Sequence, residues 1–451
     1  LSIHSELVVP MSAPPVEALL ASASETDAHV AAEQLCDAIN ERSLRWLADE
    51  RILEALIAAT RDKKSAGART RGAIGIGAIA TKVGGKNAPV PLGAEPWLAE
   101  ALPPLFELYA DKQEEVKKAA EAAVAALVAL YPPEAVPELF ETLYAVVLNG
   151  NVKWQSKVGA LKLMSRMSDR ALEQVGDELA HITPVLTEAM RETRAEVSKQ
   201  AVRTATKVCG AIDNNDLRPF IPDLVECMAR PDAVPACIKK LSSITFVAEV
   251  TGPALAVVVP LLSRALNERS QTVQRQSVII VDNLCKLVRN PHTAAKFLPE
   301  LMPSVVRIKD TASFPEVREH AKSAHDTLTA AFAAAGEHSQ PDKEAAEMRA
   351  AALERVSAAV APHVPTGVDT AHDEWTQRGL RYVARLITRL ADKRIMHEEA
   401  WDEIYVEPYL RRVCARDSNG AQVAADALRD TYVKLDTERF GKLEEDDEEI
   451  E

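Results

Sequence analysis

The feature that most restricts what this chain can fold into is a recurrence. Prolines 184, 222 and 260 stand 38 residues apart, and Pro303 follows 43 later. Twelve to fourteen positions beyond Pro104, Pro184, Pro260 and Pro303 come Val116, Val197, Val273 and Val317. Four positions after each valine is a small residue, Ala120, Ala201, Ser277 or Ala321, and a basic one lies close by, Lys118, Lys199, Arg275 or Arg318. A period near 40 belongs to stacked helix pairs of the HEAT or armadillo kind, because a single pair cannot bury its apolar face alone. Each proline is expected to open the first helix of a pair, where its missing N–H has no intrahelical partner to lose. The valine and the small residue, one turn apart, would form a seam on the second helix that a neighbouring pair can approach closely. The basic residue beside the seam has two readings, a clamp on helix termini and carboxylates or a contact to a partner.

The clearest unit combines Thr245-Phe246-Val247-Ala248-Glu249-Val250-Thr251 with residues 260–269 and 278–288, and reads as two amphipathic helices. Residues 267–270 supply the polar break and cap. With 47% hydrophobic residues but only 4% aromatics, burial must come from Ala, Leu and Val on close-packed helices. No alternating strand pattern bounded by turn signals occurs, so the expected fold is all-α: a HEAT-repeat α-solenoid, a small four-helix bundle, and an acidic disordered tail.

Residues 245–251, 260–269 and 278–288 closely resemble the central HEAT repeats of fungal-type translation elongation factor 3. Val152-Lys153-Trp154-Gln155-Ser156-Lys157 is similar to that family's segment two repeats earlier, and residues 222–235, ending in Val234-Pro235, to its irregular repeat. The resemblance covers roughly residues 20 to 449. It implies a ribosome partner: an array and bundle that dock on the small-subunit head, touching rRNA and ribosomal protein, with other elongation factors as further partners. It also implies an acidic linker leading to two ATP-binding cassettes that promote release of tRNA from the exit site. ATP and Mg²⁺ would belong to those cassettes, and this chain itself is expected to carry no cofactor, no metal and no enzymatic activity. Two other readings stand beside it: a HEAT scaffold of translational control that activates an initiation-factor kinase, and a protein-only scaffold of phosphatase or nuclear-transport type.

The expected domains are 1–15, a disordered N-terminus with Met11 as the natural start; 16–335, the HEAT array; 336–442, the four-helix bundle; and 443–451, the acidic linker. In the N-terminal part, helices are expected at 16–23, 28–40, 43–60 and 67–83, with 83–96 as a loop. Bundle helices are expected at 343–361, 374–392, 397–415 and 421–434. Residues 443–451 are too rich in like charge to bury apolar surface.

Catalytic signatures are missing from the sequence. Gly72, Gly75 and Gly77 follow no strand and lack phosphate-loop spacing, so they are read as close helix packing. His397-Glu398-Glu399 lacks the second histidine of a zinc motif. The six cysteines lack C-x-x-C spacing and read as buried small hydrophobes of a reducing, cytoplasmic compartment. The longest apolar run, 122–131, is too short to span a bilayer.

What remains is surface. A net charge of −14 argues against DNA or other non-specific nucleic-acid binding by a uniformly basic coat, but leaves room for a local strip. The candidate ribosome contacts are Lys153, Lys157, Lys199, Arg264, Arg269, Arg275, Lys286 and Arg318, with Lys63, Lys64, Arg69 and Arg71 as an alternative patch. Trp154 is read as a packing anchor.

Overall fold

The computed structural model describes residues 15–87, 93–335, 341–364, 367–393, 406–414 and 418–440, and no strand occurs among them. Of the N-terminal disorder expected over 1–15, residues 1–14 lie outside these residues and Pro15 opens a helix; the first residues expected for the bundle, 336–340, the His397 to Glu399 segment and the acidic tail also lie outside. Helices in the first part are α1 Pro15–Ala21, α2 Glu25–Arg42, α3 Trp46–Asp49, α4 Ile52–Thr60, α5 Ala66–Lys82, α6 Glu95–Leu98, α7 Leu102–Glu107 and α8 Glu114–Ala129. The middle comprises α9 Val136–Leu148, α10 Trp154–Arg170, α11 Leu172–Asp177, α12 Leu179–Met190, α13 Ala195–Val208, α14 Ile221–Ala229, α15 Val234–Leu241, α16 Gly252–Leu266, α17 Gln271–Cys285, α18 Pro291–Phe297, α19 Met302–Thr311 and α20 Pro315–Ala335. The last are α21 Pro341–Val360, α22 Glu374–Asp392, α23 Glu407–Val413 and α24 Ser418–Phe440.

The chain forms two compact units, residues 133–348 and residues 1–132 with 349–451. The loss of period after 335 suggests a division at 336; the units instead join the C-terminal helices to the N-terminal ones.

In the 133–348 unit the seam is where the spacing puts it. Val197, Ala201, Val273, Ser277, Val317 and Ala321 are all buried. Second helices stack on second helices, α10 on α13 and α17 on α20. Each fully buried valine contributes about 1.5 to 3 kcal/mol to that stacking. Polar ties recur at near the repeat spacing. The Thr204 hydroxyl donates to the Leu161 carbonyl at 2.9 Å, and Arg307 Nη2 to the Leu266 carbonyl at 2.8 Å.

Two sequence expectations change here. Pro184 and Pro260 do not open helices; they lie inside α12 and α16. A proline there removes one backbone hydrogen bond and crowds the carbonyl four residues back, Ala180 or Ala256, which is tolerated where the flanking helix is held by packing. Leu179, Ile182, Val185 and Leu186 of α12 and residues 254–259 of α16 are buried. Residues 245–250 are a loop rather than part of a helix. Its backbone polar groups are met from outside: Asp216 Oδ2 accepts from Val247 N and Ala248 N at 2.8 and 2.9 Å, and Asn214 Nδ2 donates to the Glu249 carbonyl at 3.0 Å.

The other unit starts as an array. α5 packs against α2, α4 and α8, with Val116 and Ala120 in its core. The helix expected over 43–60 is broken between α3 and α4, where Arg51 turns left-handed at φ 52°. Gly72 is required by close approach: a Cβ there would stand 2.7 Å from the Leu56 carbonyl oxygen. The remainder closes on itself over long sequence distance. Trp97 stacks on Trp375 with ring centroids 4.6 Å apart, and Trp97 Nε1 donates to the Trp375 carbonyl at 3.1 Å. Arg45 grips Asp373 bidentately at 2.9 and 2.7 Å. Asp373 also caps α22 through Thr376 N, at 2.9 Å. Burial works against its charge, but the bonds from Arg45 and Thr376 outweigh it and hold the pKa at about 2. Gly379 admits this contact, since a Cβ would fall 2.5 Å from Val413 Cγ2 and 2.8 Å from Trp97. Of the four helices expected for a bundle, α21, α22 and α24 lie near their expected places, while α23 is described only as Glu407–Val413, with 394–405 outside the described residues.

Candidate nucleic-acid interface

From α9 to α15, charge in the 133–348 unit is sorted by helix layer. The first helices α9, α12 and α14 carry Glu138 and Glu141, Glu188, and Asp223 and Glu226, with no Lys or Arg. The second helices carry the cations: Lys157, Lys162, Arg166 and Arg170 on α10, Lys199, Arg203 and Lys207 on α13, and Lys239 and Lys240 on α15.

α10 and α13 show how the pattern arises. Ala160, Leu163, Met164 and Met167 of α10, and Val197, Ala201, Ala205 and Val208 of α13, are buried. At 3.6 residues per turn that turns Lys162, Arg166 and Arg170 outward in one row and Lys199, Arg203 and Lys207 in another, all exposed. The two rows share a 37-residue offset. The bond from Thr204 to Leu161 and the 2.5 Å pair between Lys207 Nζ and Asp169 Oδ2 hold the helices side by side, so the rows adjoin. Lys162, Arg166, Lys199 and Arg203 make no ion pair with another described residue. Four undischarged cations over two packed helices form a rigid strip suited to a polyanion.

The candidate residues named from sequence divide sharply. Lys199 falls in the strip. Lys153 and Arg269 are exposed at helix turns, Lys153 at the start of α10 and Arg269 between α16 and α17. Lys157 is buried and bonded to Glu192. Arg264 Nη1 donates to the Cys227 carbonyl at 3.3 Å. Arg318 donates to the Ala312 and Ser313 carbonyls at 2.5 and 3.1 Å. Arg275 pairs with Glu316 at 2.5 Å and Lys286 with Asp282 at 2.8 Å. These five are engaged within the chain. In the alternative patch, Lys63 and Lys64 are exposed, whereas Arg69 grips Asp111 at 2.7 and 3.1 Å and Arg71 donates to the Ser22 carbonyl at 3.0 Å. Trp154 is half-buried, with the Arg194 guanidinium 5.0 Å from its ring centroid. Lys162, Arg166 and Arg203 were missed; the signal was cations spaced by four on successive second helices and repeated at the array period.

A second group of ionisable residues lies in the other unit. Glu95 is 1% exposed, and its Oε1 accepts from Tyr382 at 2.9 Å and from Tyr409. Arg412 is buried nearby and donates to the Val83 carbonyl at 2.9 Å. Burial pushes the Glu95 carboxyl up to about 7, against the hydrogen bonds from Tyr409 and Tyr382. Sealed from solvent, the group acts on packing rather than on a substrate. No cluster of three or more His, Cys, Asp or Glu placed to hold a metal occurs among the described residues. No single described helix is long and apolar enough to cross a membrane.

The stacked helix pairs and their buried seams define a HEAT-repeat protein. Residues 28–205 match the family model described as EF3 N-terminal HEAT repeat, and residues 232–339 that described as Elongation factor 3/GNC1 HEAT repeat. The chain belongs to the elongation factor 3 type of HEAT-repeat family. Among its relatives are Elongation factor 3A of Saccharomyces cerevisiae, 31% identical over 87% of this chain and 36% of that protein, and Elongation factor 3 of Phytophthora infestans, 41% identical over 52% of this chain and 22% of that protein. The mRNA export factor elf1 of Schizosaccharomyces pombe is 40% identical over 70% of this chain and 30% of that protein. The chain thus spans about a third or less of the length of these curated relatives.

Proposed function

We propose that this chain is the ribosome-docking region of a cytoplasmic elongation factor 3-like protein, and that it binds RNA phosphate on the small-subunit head through Lys162, Arg166, Lys199 and Arg203. The observation that carries the reading is the strip itself: cations without carboxylate partners, on two helices locked together, in a chain of net charge −14. A protein whose mean field repels phosphate needs such a local concentration of positive charge to hold RNA. Ribosomal protein beside the RNA would meet the flanking exposed Lys153. Docking would position ATP-binding cassettes of the parent, which would use ATP and Mg²⁺ to promote exit-site tRNA release; the docking chain itself performs no reaction.

The identity to the mRNA export factor supports a second reading, in which the same strip holds messenger RNA. The two separate by partner. Sedimentation with isolated small subunits, in the presence of excess single-stranded RNA, should leave the chain bound to subunits. Displacement into the RNA fraction would favour the second reading. A chain carrying Lys162→Glu, Arg166→Glu, Lys199→Glu and Arg203→Glu should stay folded and remain in the supernatant; retention on subunits would remove the strip from the interface.

A further inference from the structure

α14 and α15 form a short antiparallel hairpin joined by residues 230–233. Its register is fixed by an ion pair, Lys240 Nζ to Asp223 Oδ1 at 2.5 Å. In an antiparallel pair, four positions on from Asp223 lies opposite about three or four back from Lys240, which sets Cys227 against Cys237. Both thiols are buried at 2% exposure, and they lie within hydrogen-bonding reach of each other. The Arg264 guanidinium, bonded to the Cys227 carbonyl, sits beside the same sulfur.

We infer that Cys227 and Cys237 are a redox-sensitive dithiol that closes to an intramolecular disulfide and staples α14 to α15. The contact with Cys237 and the nearby Arg264 hold the Cys227 pKa below its ordinary value, although burial, Asp223 and Asp232 oppose this; because Arg264 is bonded to the Cys227 carbonyl, its positive charge lies on that side of the pair, and Cys227 is assigned as the attacking sulfur. The same contact and burial push Cys237 up. With a small-molecule disulfide as oxidant, the Cys227 thiolate attacks one oxidant sulfur, forming a mixed disulfide and expelling a thiolate. Cys237 then gives up its proton and attacks the Cys227 sulfur, expelling the second thiolate. Two protons leave the protein, the expelled thiolates take them up, and the oxidant is reduced by two electrons. The other four cysteines, 36, 209, 285 and 414, are buried as well. α14 packs on α13, so the staple also stiffens the support of the cationic strip.

The test uses the full chain equilibrated with oxidised glutathione. The intact mass should fall by two hydrogens, peptide mapping should recover Cys227 and Cys237 in one cross-linked pair, and dithiothreitol should restore both thiols. Amide exchange in 221–241 should slow in the oxidised form. In Cys237→Ser, a stable glutathione adduct should collect on Cys227. A cross-link joining any other pair, a persistent adduct on either thiol of the unaltered chain, or both thiols left reduced would overturn the inference. None of these readouts from the unaltered chain depends on the variant folding.

Discussion

The two compact units solve the same burial problem differently. In residues 133–348 each repeat is held by its immediate neighbours, through a valine, a small residue and one polar tie repeated near the array period. In the other unit, ties that close the structure join residues 278 to 329 positions apart: Trp97 with Trp375, Glu95 with Tyr382 and Tyr409, Arg45 with Asp373, Arg412 with Val83. The first arrangement is modular, and damage to it should stay local. The second loads its stability on a few large aromatic and charged groups, so damage at one end should be felt at the other.

The largest effect that sharpens the contrast is Val278→Asp. Val278 is fully buried, and an unpaired charge there should destabilise its unit by about 4 kcal/mol. Hydrogen exchange should show protection lost in α16, α17 and α20 and kept in α22; uniform loss through the chain would break the contrast. Next comes Trp375→Ala, expected to cost about 3 to 4 kcal/mol by removing the stack and leaving a cavity. Its protection should fall both near residue 97 and at 406–413, two regions remote in sequence.

This is where sequence reading reached its limit. The seam valines were legible because their spacing is the repeat itself, and Gly72 because packed helices explain a glycine that no phosphate loop does. The tie from Trp97 to Trp375 has no period to betray it, and Glu95 looked like one more acidic residue in a Gly- and Pro-rich loop. Pattern also left open which cations are clamps and which are free. Lys157 and Arg318 look like surface charge, but their long stems let the heads fold back onto Glu192 and the Ala312 carbonyl. Pro184 and Pro260 were misplaced because a proline marks a helix without fixing how many residues precede it.

A smaller effect is expected from pH. Glu95 has a carboxyl pKa raised from 4.5 to about 7 in the fold, so the folded chain binds the extra proton between those values. The stability tied to it is fully present below pH 4.5 and is lost as pH rises through about 7, on the order of 3 kcal/mol. Asp373 acts in the opposite sense and lower, its contribution being lost as pH falls below 3.8 through about 2. Urea titrations from pH 4.5 to 7.5 should show the decline, and Glu95→Gln should flatten it. A decline that persists in that variant would assign it elsewhere. The smallest effect belongs to Arg275→Glu, whose partner Glu316 is 61% exposed; less than about 1 kcal/mol should be lost.

The measurement that bears most directly on the central claim compares two pairs of cations in titrations of small subunits across a salt series. Lys199→Glu with Arg203→Glu removes strip cations, whereas Arg264→Gln with Arg318→Gln removes cations bonded to backbone carbonyls. Each phosphate contact contributes about 0.7 to 0.9 to the slope of log affinity against log salt. The strip pair should therefore weaken binding and flatten the slope by about one and a half units. The carbonyl-bound pair should lower stability and leave the slope unchanged. An unchanged slope in the strip pair, or an equal flattening in both, would contradict the account.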